Sequence, residues 1–214
     1  LTALEPCPGA EAPRGLCMNE ISAMGVGHDW VELYNTSDET IDSLPLVLRD
    51  SLDSSGNEAS FCVAGLKPGG RRIVTCPNLL NGNGEDLALF DLDGHLLDST
   101  RYGRQNFNVT FGRRTDGAAD WCYQYPTERE PNGSVPEEVA QVIVAAPFHQ
   151  PVRPIPEEPV FVSTAVVAAA GVASVEILFC PSEEEPAQDA EWQRAPCLDD
   201  GGGADEQAAD GRYT

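Results

Sequence analysis

Turn-forming residues cut this chain into runs too short for ordinary helices. It carries 20 glycines and 17 prolines in 214 residues, and from Leu16 onward its apolar or alternating stretches stay brief. They are Cys17 to Ala23, Trp30 to Asn35, Leu46 to Leu48, Ser60 to Val63, Arg72 to Cys76, Leu87 to Asp91, Leu96 to Tyr102 and Val109 to Arg113. Between them stand SDET, KPGG, NGNGED, DLDG and RTDG, which supply the Gly, Asn, Asp and Pro that reverse strands. Regular short strands without a helical period predict an all-β protein built as a sandwich or barrel. LALFD and LLDSTRY around DLDG predict a hairpin. A later D-x-D-G calcium reading fails there, because the further ligands of an EF-hand loop are missing.

Strict alternation in Trp30 to Tyr34 sends successive side chains to opposite faces. Trp30, Leu33, Leu87, Leu89 and Val109 are the predicted core, with Glu32 and Tyr34 on another face. Since Trp30 and Leu33 differ by an odd number, a bulge or a covering loop has to bury one of them.

The length suits two domains of about 100 residues. A Pro-rich stretch separates them, since Pro fixes φ and lacks an amide donor. The expected organisation is an extension over 1–14, a sandwich over 15–132, a linker or edge strand over 133–158, and a second, partial sandwich over 159–214. In the second, Glu158 to Val167 and Val172 to Cys180 read as strands. The run from Val160 to Phe179 is about as long as a bilayer is thick, but Glu176 and breaks at Ser163/Thr164 and Gly171 argue for two buried strands and against a membrane span. Residues 1 to 13 lack the basic and apolar regions of a targeting signal, so either a signal peptide was removed or the chain is an excised piece.

The formal net charge is −22. Acids outnumber bases 20 to 10 up to residue 132 and 15 to 3 beyond it. Such a surface repels phosphate backbones and anionic membranes, so nucleic acid is excluded as an expected partner. It is compatible with solubility or with cation binding. The tail DDGGGADEQAADG offers Asp199, Asp200, Asp205 and Asp210 within a short span, with glycines that let backbone carbonyls approach. These four are the candidate calcium ligands, against the plainer reading of a solvated acidic loop.

Seven cysteines with no C-x-x-C pair and no neighbouring histidines argue for disulfides in an oxidising compartment over a zinc site. Cys180 with Cys197 is the preferred bridge, Cys62 with Cys76 the next, and Cys7 with Cys17 a third that leaves Cys122 over. Buried thiols are the alternative for any of them. No G-x-S-x-G elbow is present. His28, His95 and His149 each fall in a turn, loop or linker, so a non-catalytic chain is expected.

Several linked motifs carry a resemblance. MNEISA, DWVELYNTSDETIDS, LKPGGRRIVTC, GNGEDLALFDLDGHLLDSTRYG, TFGRRTDGAADW and PTEREPN occur in the order of bacterial lamin-tail domains, which close on "YGR..DG..W" and "TPG.PN". The match covers about residues 15 to 132. It implies an immunoglobulin-like sandwich without known catalytic residues, found in secreted bacterial proteins. Where that family has an "L-S-G-W" turn, this chain has Ser43, Leu44, Pro45 and Leu46, which removes an aromatic anchor. GVASVEILF with the tail to Thr214 resembles an Ig-like module of bacterial surface proteins ending "M-DDG-x-x-GD-x-x-AGDG-x-YT", with Ala204 and Ala209 in place of glycines. Together these imply an extracellular or cell-surface module for spacing, anchoring or adhesion. Its expected partners are other domains of the same parent protein, or surface protein or polysaccharide. The alternative is an accessory domain of a larger secreted hydrolase or spore-coat kinase-like protein.

Overall fold

The computed structural model describes residues 15–24, 28–53, 56–134, 142–168, 170–179, 192–202, 205 and 207–214. The chain is all-β, with antiparallel sheets and no helix among the described residues. Among the described residues no helix is long and apolar enough to cross a membrane. Two compact units divide at 136/137.

Among its described residues the first unit has nine strands in two sheets: β1 (Leu16–Ser22), β2 (Trp30–Asn35), β3 (Ile41–Arg49), β4 (Glu58–Leu66), β5 (Arg71–Thr75), β6 (Glu85–Asp91), β7 (Leu96–Tyr102), β8 (Thr110–Arg113) and β9 (Trp121–Gln124). One sheet runs β5-β2-β1-β8-β9 and the other β4-β3-β6-β7, an arrangement consistent with a β-sandwich. The DLDG hairpin forms as expected between β6 and β7, with Gly94 at φ 83° in its turn. Strand β9, the short run WCYQ, escaped the sequence pattern.

The core lies on the face shared by Met18, Ile21, Val31, Leu33, Leu46, Leu48, Leu87 and Leu89, all buried. Leu44 and Leu46, 1% and 0% exposed, belong to the buried part of β3. Pro45 lies opposite Cys62 of β4, one residue before pairing with β6 begins at Leu46.

Trp30, Leu33, Leu87, Leu89 and Val109 are all buried, but not on one face. The register of β1 and β2 shifts between Met18 and Glu20, leaving Asn19 as the extra residue of a bulge. Leu33 pairs with Met18 on the core side. Trp30 pairs with Ser22, and Glu32 with Glu20, on the other side. That outer face is also buried: Glu20 and Glu32 are both 0% exposed. Its neighbour is the segment 125–134, which follows β9 and bonds to it.

The second unit contains β10 (Ile143–Gln150), β11 (Phe161–Val167), β12 (Val175–Phe179), β13 (Gln193–Cys197) and β14 (Arg212–Tyr213). Its sheets run β10-β11-β14 and β12-β13. The stretch expected as linker or edge strand therefore supplies β10, an edge strand paired with β11 through a bulge at Ala145/Phe148. The unit begins near 137, not at 159. Leu198 and Thr214 exchange backbone hydrogen bonds of 2.8 and 2.9 Å. They close the neck of the loop that holds the acidic tail.

Candidate functional site

The neck sets the geometry of the tail. Asp199 follows Leu198 on one side, and Asp210 and Gly211 precede β14 on the other. The Asp199 carboxylate accepts from the amides of Asp210 at 3.1 Å and Gly211 at 3.0 Å. Asp205 accepts from Gly201 N at 2.9 Å and Gln207 N at 3.3 Å, and Asp210 from Arg212 N at 2.8 Å. As a result one carboxylate oxygen from each of Asp199, Asp205 and Asp210 lies within 4.8 Å of the others. Asp205 and Asp210 are only 2% and 6% exposed.

Three of the four expected calcium ligands thus converge, and the fourth does not. Asp200 is exposed, and its carboxylate turns back to accept from Gly202 N at 2.9 Å. Consecutive residues here project in different directions, so Asp200 leaves the group.

Burial pushes the Asp210 carboxyl up to about 7; the neighbouring charges of Asp205 and Asp199 add to the effect and the Arg212 amide opposes it. Crowded acids in a poorly solvated site favour either a proton or a cation. Oxygen-only ligands of this charge suit a hard divalent ion such as calcium, which takes about six to eight oxygens and would complete its shell with backbone carbonyls and water.

Ala209 stands at φ 60° in the same loop, a left-handed conformation that strains any residue with a Cβ. Ala209→Gly keeps the bond from residue 209 N to the Asp199 carbonyl. It is expected to stabilise the second unit by about 1 kcal/mol, read as an upward shift of its thermal midpoint.

A second polar centre lies on the outer face of the first unit. Asn19 Nδ2 donates to Glu32 at 3.0 Å, to Asp116 at 2.8 Å and to Asn132 at 3.2 Å. Asn132 Nδ2 donates to the carbonyls of Asn19 at 2.9 Å and Arg113 at 2.7 Å. Arg129 N donates to Glu32 at 2.8 Å, and Thr127 donates to Glu20 through both its amide and its hydroxyl. Arg71 pairs with Asp116.

Burial raises the Glu20 carboxyl against the pull of its hydrogen bonds. It pushes Glu32 up to about 7, where the charge of Glu20 adds to the rise. At Asp116 burial acts the same way, but the Arg71 guanidinium overcomes it and holds the carboxyl low. The Asp116 turn needs glycine next: Gly117 has φ 69°, and a Cβ there would come within 2.6 Å of the Thr36 methyl. Sequence reasoning placed Glu32 off the core face and offered a bulge or a covering loop to bury Trp30 or Leu33, but it did not say which segment covers this side.

At the β6–β7 turn, Asp91, Asp93 and His95 also bring ligand atoms within 4.8 Å. This group is exposed at Asp93 and His95, and the His95 ring is engaged by Asp91 at 2.8 Å. The sequence reading of a plain turn describes it adequately.

The expected disulfides need correction. Cys76 and Cys197 are thiols, as is Cys17, so neither Cys62 with Cys76, nor Cys180 with Cys197, nor Cys7 with Cys17 is a bridge. Cys62 is disulfide-bonded. Although KPGG joins β4 to β5, these strands enter different sheets, which carries Cys62 and Cys76 apart. Cys197 pairs with Val175, while Phe179 pairs with Gln193, so Cys197 sits at the far end of the hairpin from Phe179. Cys180 and Cys7 lie outside the described residues. Burial pushes the Cys76 thiol up to about 12 and that of Cys17 to about 11.

No family model, curated protein or solved structure matches the chain.

Proposed function

We propose that the chain is a non-catalytic module of the cell exterior, used for spacing, anchoring or adhesion, with calcium bound by Asp199, Asp205 and Asp210 in its second unit. The convergence of those three carboxylates at the neck of the tail carries this reading. An ion there would neutralise two buried acids and tie β13 to β14, so that the calcium level of the surroundings would govern how well the unit holds together.

The first unit is read as an immunoglobulin-like lamin-tail domain. Two observations support that. The polar residues of its motifs, Asn19, Glu20, Glu32, Asp116 and Asn132, are engaged with one another in fastening the strap, as expected of a fold signature. Arg129 has φ 67° at the place where the pattern "TPG.PN" has glycine. Ala209, also left-handed, likewise stands where the surface-module pattern has glycine. The acidic surface fits partners that are not themselves polyanions, such as neighbouring domains of a parent protein or neutral surface polysaccharide.

The expected result is a higher thermal midpoint for the second unit in calcium than in chelator. The gain is about 2.7 kcal/mol once free calcium exceeds the dissociation constant by about a hundredfold. Asp205→Asn removes the gain. Because Asp210 has to lose its proton to bind, the gain also shrinks as pH falls below about 7. Equal midpoints with and without calcium at pH 8 would exclude the site.

A further inference from the structure

Asparagine is chemically labile in proteins, most of all before glycine, which has no Cβ to keep its backbone nitrogen away from the carboxamide carbon. The sequence holds three such pairs, Asn81-Gly82, Asn83-Gly84 and Asn132-Gly133. Local sequence does not rank them, whereas the fold does.

Asn132 is 6% exposed, and its carboxamide is locked in four hydrogen bonds. Asn83 is exposed, but the nitrogen that would attack it is engaged, since Gly84 N donates to the Asn81 carbonyl at 2.9 Å. Gly84 is also pressed against the end of β7 at φ 94°, where a Cβ would come within 2.5 Å of the Tyr102 carbonyl oxygen. Breaking its hydrogen bond first slows attack on Asn83 by about fivefold. Asn81 has neither protection. It is exposed in the loop between β5 and β6, and among the described residues neither Gly82 N nor Asn81 Nδ2 makes a hydrogen bond. Its Oδ1 accepts from Asn83 N at 3.0 Å, which sets a donor where negative charge gathers when Cγ is attacked.

We propose that Asn81 is a site of spontaneous deamidation in the folded protein, and that the reaction loosens the β5–β6 connection. Gly82 N, giving up its proton, bonds to Asn81 Cγ; the Cγ–Nδ2 bond breaks and ammonia leaves. Water then opens the resulting imide at Cγ to give aspartate, or at the main-chain carbonyl to give isoaspartate. Either product sets a new carboxylate near Glu85, whose Oε1 already accepts from Asn81 N and the Tyr102 hydroxyl. Isoaspartate also routes the backbone through Cγ, which removes the carbonyl that Gly84 N binds and displaces Gly82. Gly82 O accepts from Gln105 N at 2.9 Å, and the Gln105 side chain holds Ala23 N and Ile21 O at the end of β1, so the disturbance reaches the sheet. This inference stands independently of the calcium reading.

Incubation of the 214-residue chain at pH 8, folded and in urea, tests it by peptide mapping with mass spectrometry. Fragmentation of the peptide that carries both Asn81 and Asn83 separates the two. In urea the three asparagines are expected to convert at similar rates. In the folded chain Asn81 keeps close to its urea rate, Asn83 falls about fivefold or more below its own, and Asn132 stays intact. Gly82→Ala, whose added methyl displaces the end of the Met24 side chain, slows conversion at Asn81 and leaves Asn83 unchanged. Chains converted at Asn81 unfold at a lower urea concentration than fresh ones. An Asn81 that survives in the folded chain for as long as it takes to convert in urea overturns the proposal, and so does an Asn83 that reacts as fast as Asn81. Converted chains with the midpoint of fresh ones overturn the loosening.

Discussion

Asn132→Ala is expected to cost the first unit about 3 to 5 kcal/mol, the largest loss from any single truncation on the outer face. Its side chain is 6% exposed and satisfies four groups at once. It donates to the carbonyls of Asn19 and Arg113, and accepts from Asn19 Nδ2 and the Thr127 hydroxyl. Truncation leaves two buried carbonyls without this donor and unseats the strap. Asp116, which also accepts from Asn132 N at 3.1 Å, keeps Arg71, so the damage should concentrate on the strap side. Urea unfolding followed by the fluorescence of Trp30 and Trp121 reads the effect as a lower midpoint with an unchanged slope. A loss below about 1 kcal/mol would mean that water replaces the asparagine, and the strap would then be an accessory and not part of the fold.

Arg113→Met should be comparably damaging, for a different reason. Arg113 is the tie between the two sheets. Its Nε donates to Met18 O at 2.6 Å, its Nη1 to Ala118 O, and its Nη2 to Asp98 at 2.8 Å, while the guanidinium lies 4.8 Å over the Trp121 ring. Asp98 belongs to β7 of the opposite sheet and also accepts from Met18 N at 2.8 Å. Methionine keeps some of the packing on Trp121 but leaves a largely buried Asp98 charge without its cation, at about 3 to 5 kcal/mol. Adding Asp98→Asn removes that stranded charge, so the double variant is expected to be more stable than Arg113→Met alone. Equal or lower stability of the double variant would show that the arginine acts through its carbonyl bonds and not through Asp98.

How much of this was legible in the sequence depends on which neighbour buries each residue. Trp30 to Asn35 was read with its true ends, because period-two alternation and flanking turns both mark it. The DLDG hairpin was equally clear, since its turn chemistry is local. Alternation normally separates a wet face from a dry one, but β2 is buried on both sides. The second cover is a loop whose own sequence, PTEREPN, has no periodicity to declare where it lies. The bulge at Asn19 is likewise invisible along β1 and appears only in its register against β2. Asp98 and Arg113 are 15 residues apart in separate strands, and nothing local brings them together.

The cysteines show the same limit. Spacing around KPGG suggested that Cys62 and Cys76 meet, but a turn between strands of different sheets separates what it joins. At the tail, clustering along the chain singled out Asp199, Asp205 and Asp210, whose carboxylates the fold brings together. It could not reject Asp200, whose exclusion depends on side-chain direction around Gly201 and Gly202.

Isothermal titration of calcium into the 214-residue chain tests the account most directly. One ion per chain is predicted, with a dissociation constant of about 10⁻⁴ to 10⁻³ M if the chain is the extracellular module proposed, and no binding heat in Asp205→Asn. Absence of heat at millimolar calcium would contradict the metal site, and submicromolar affinity would contradict its placement at the cell exterior.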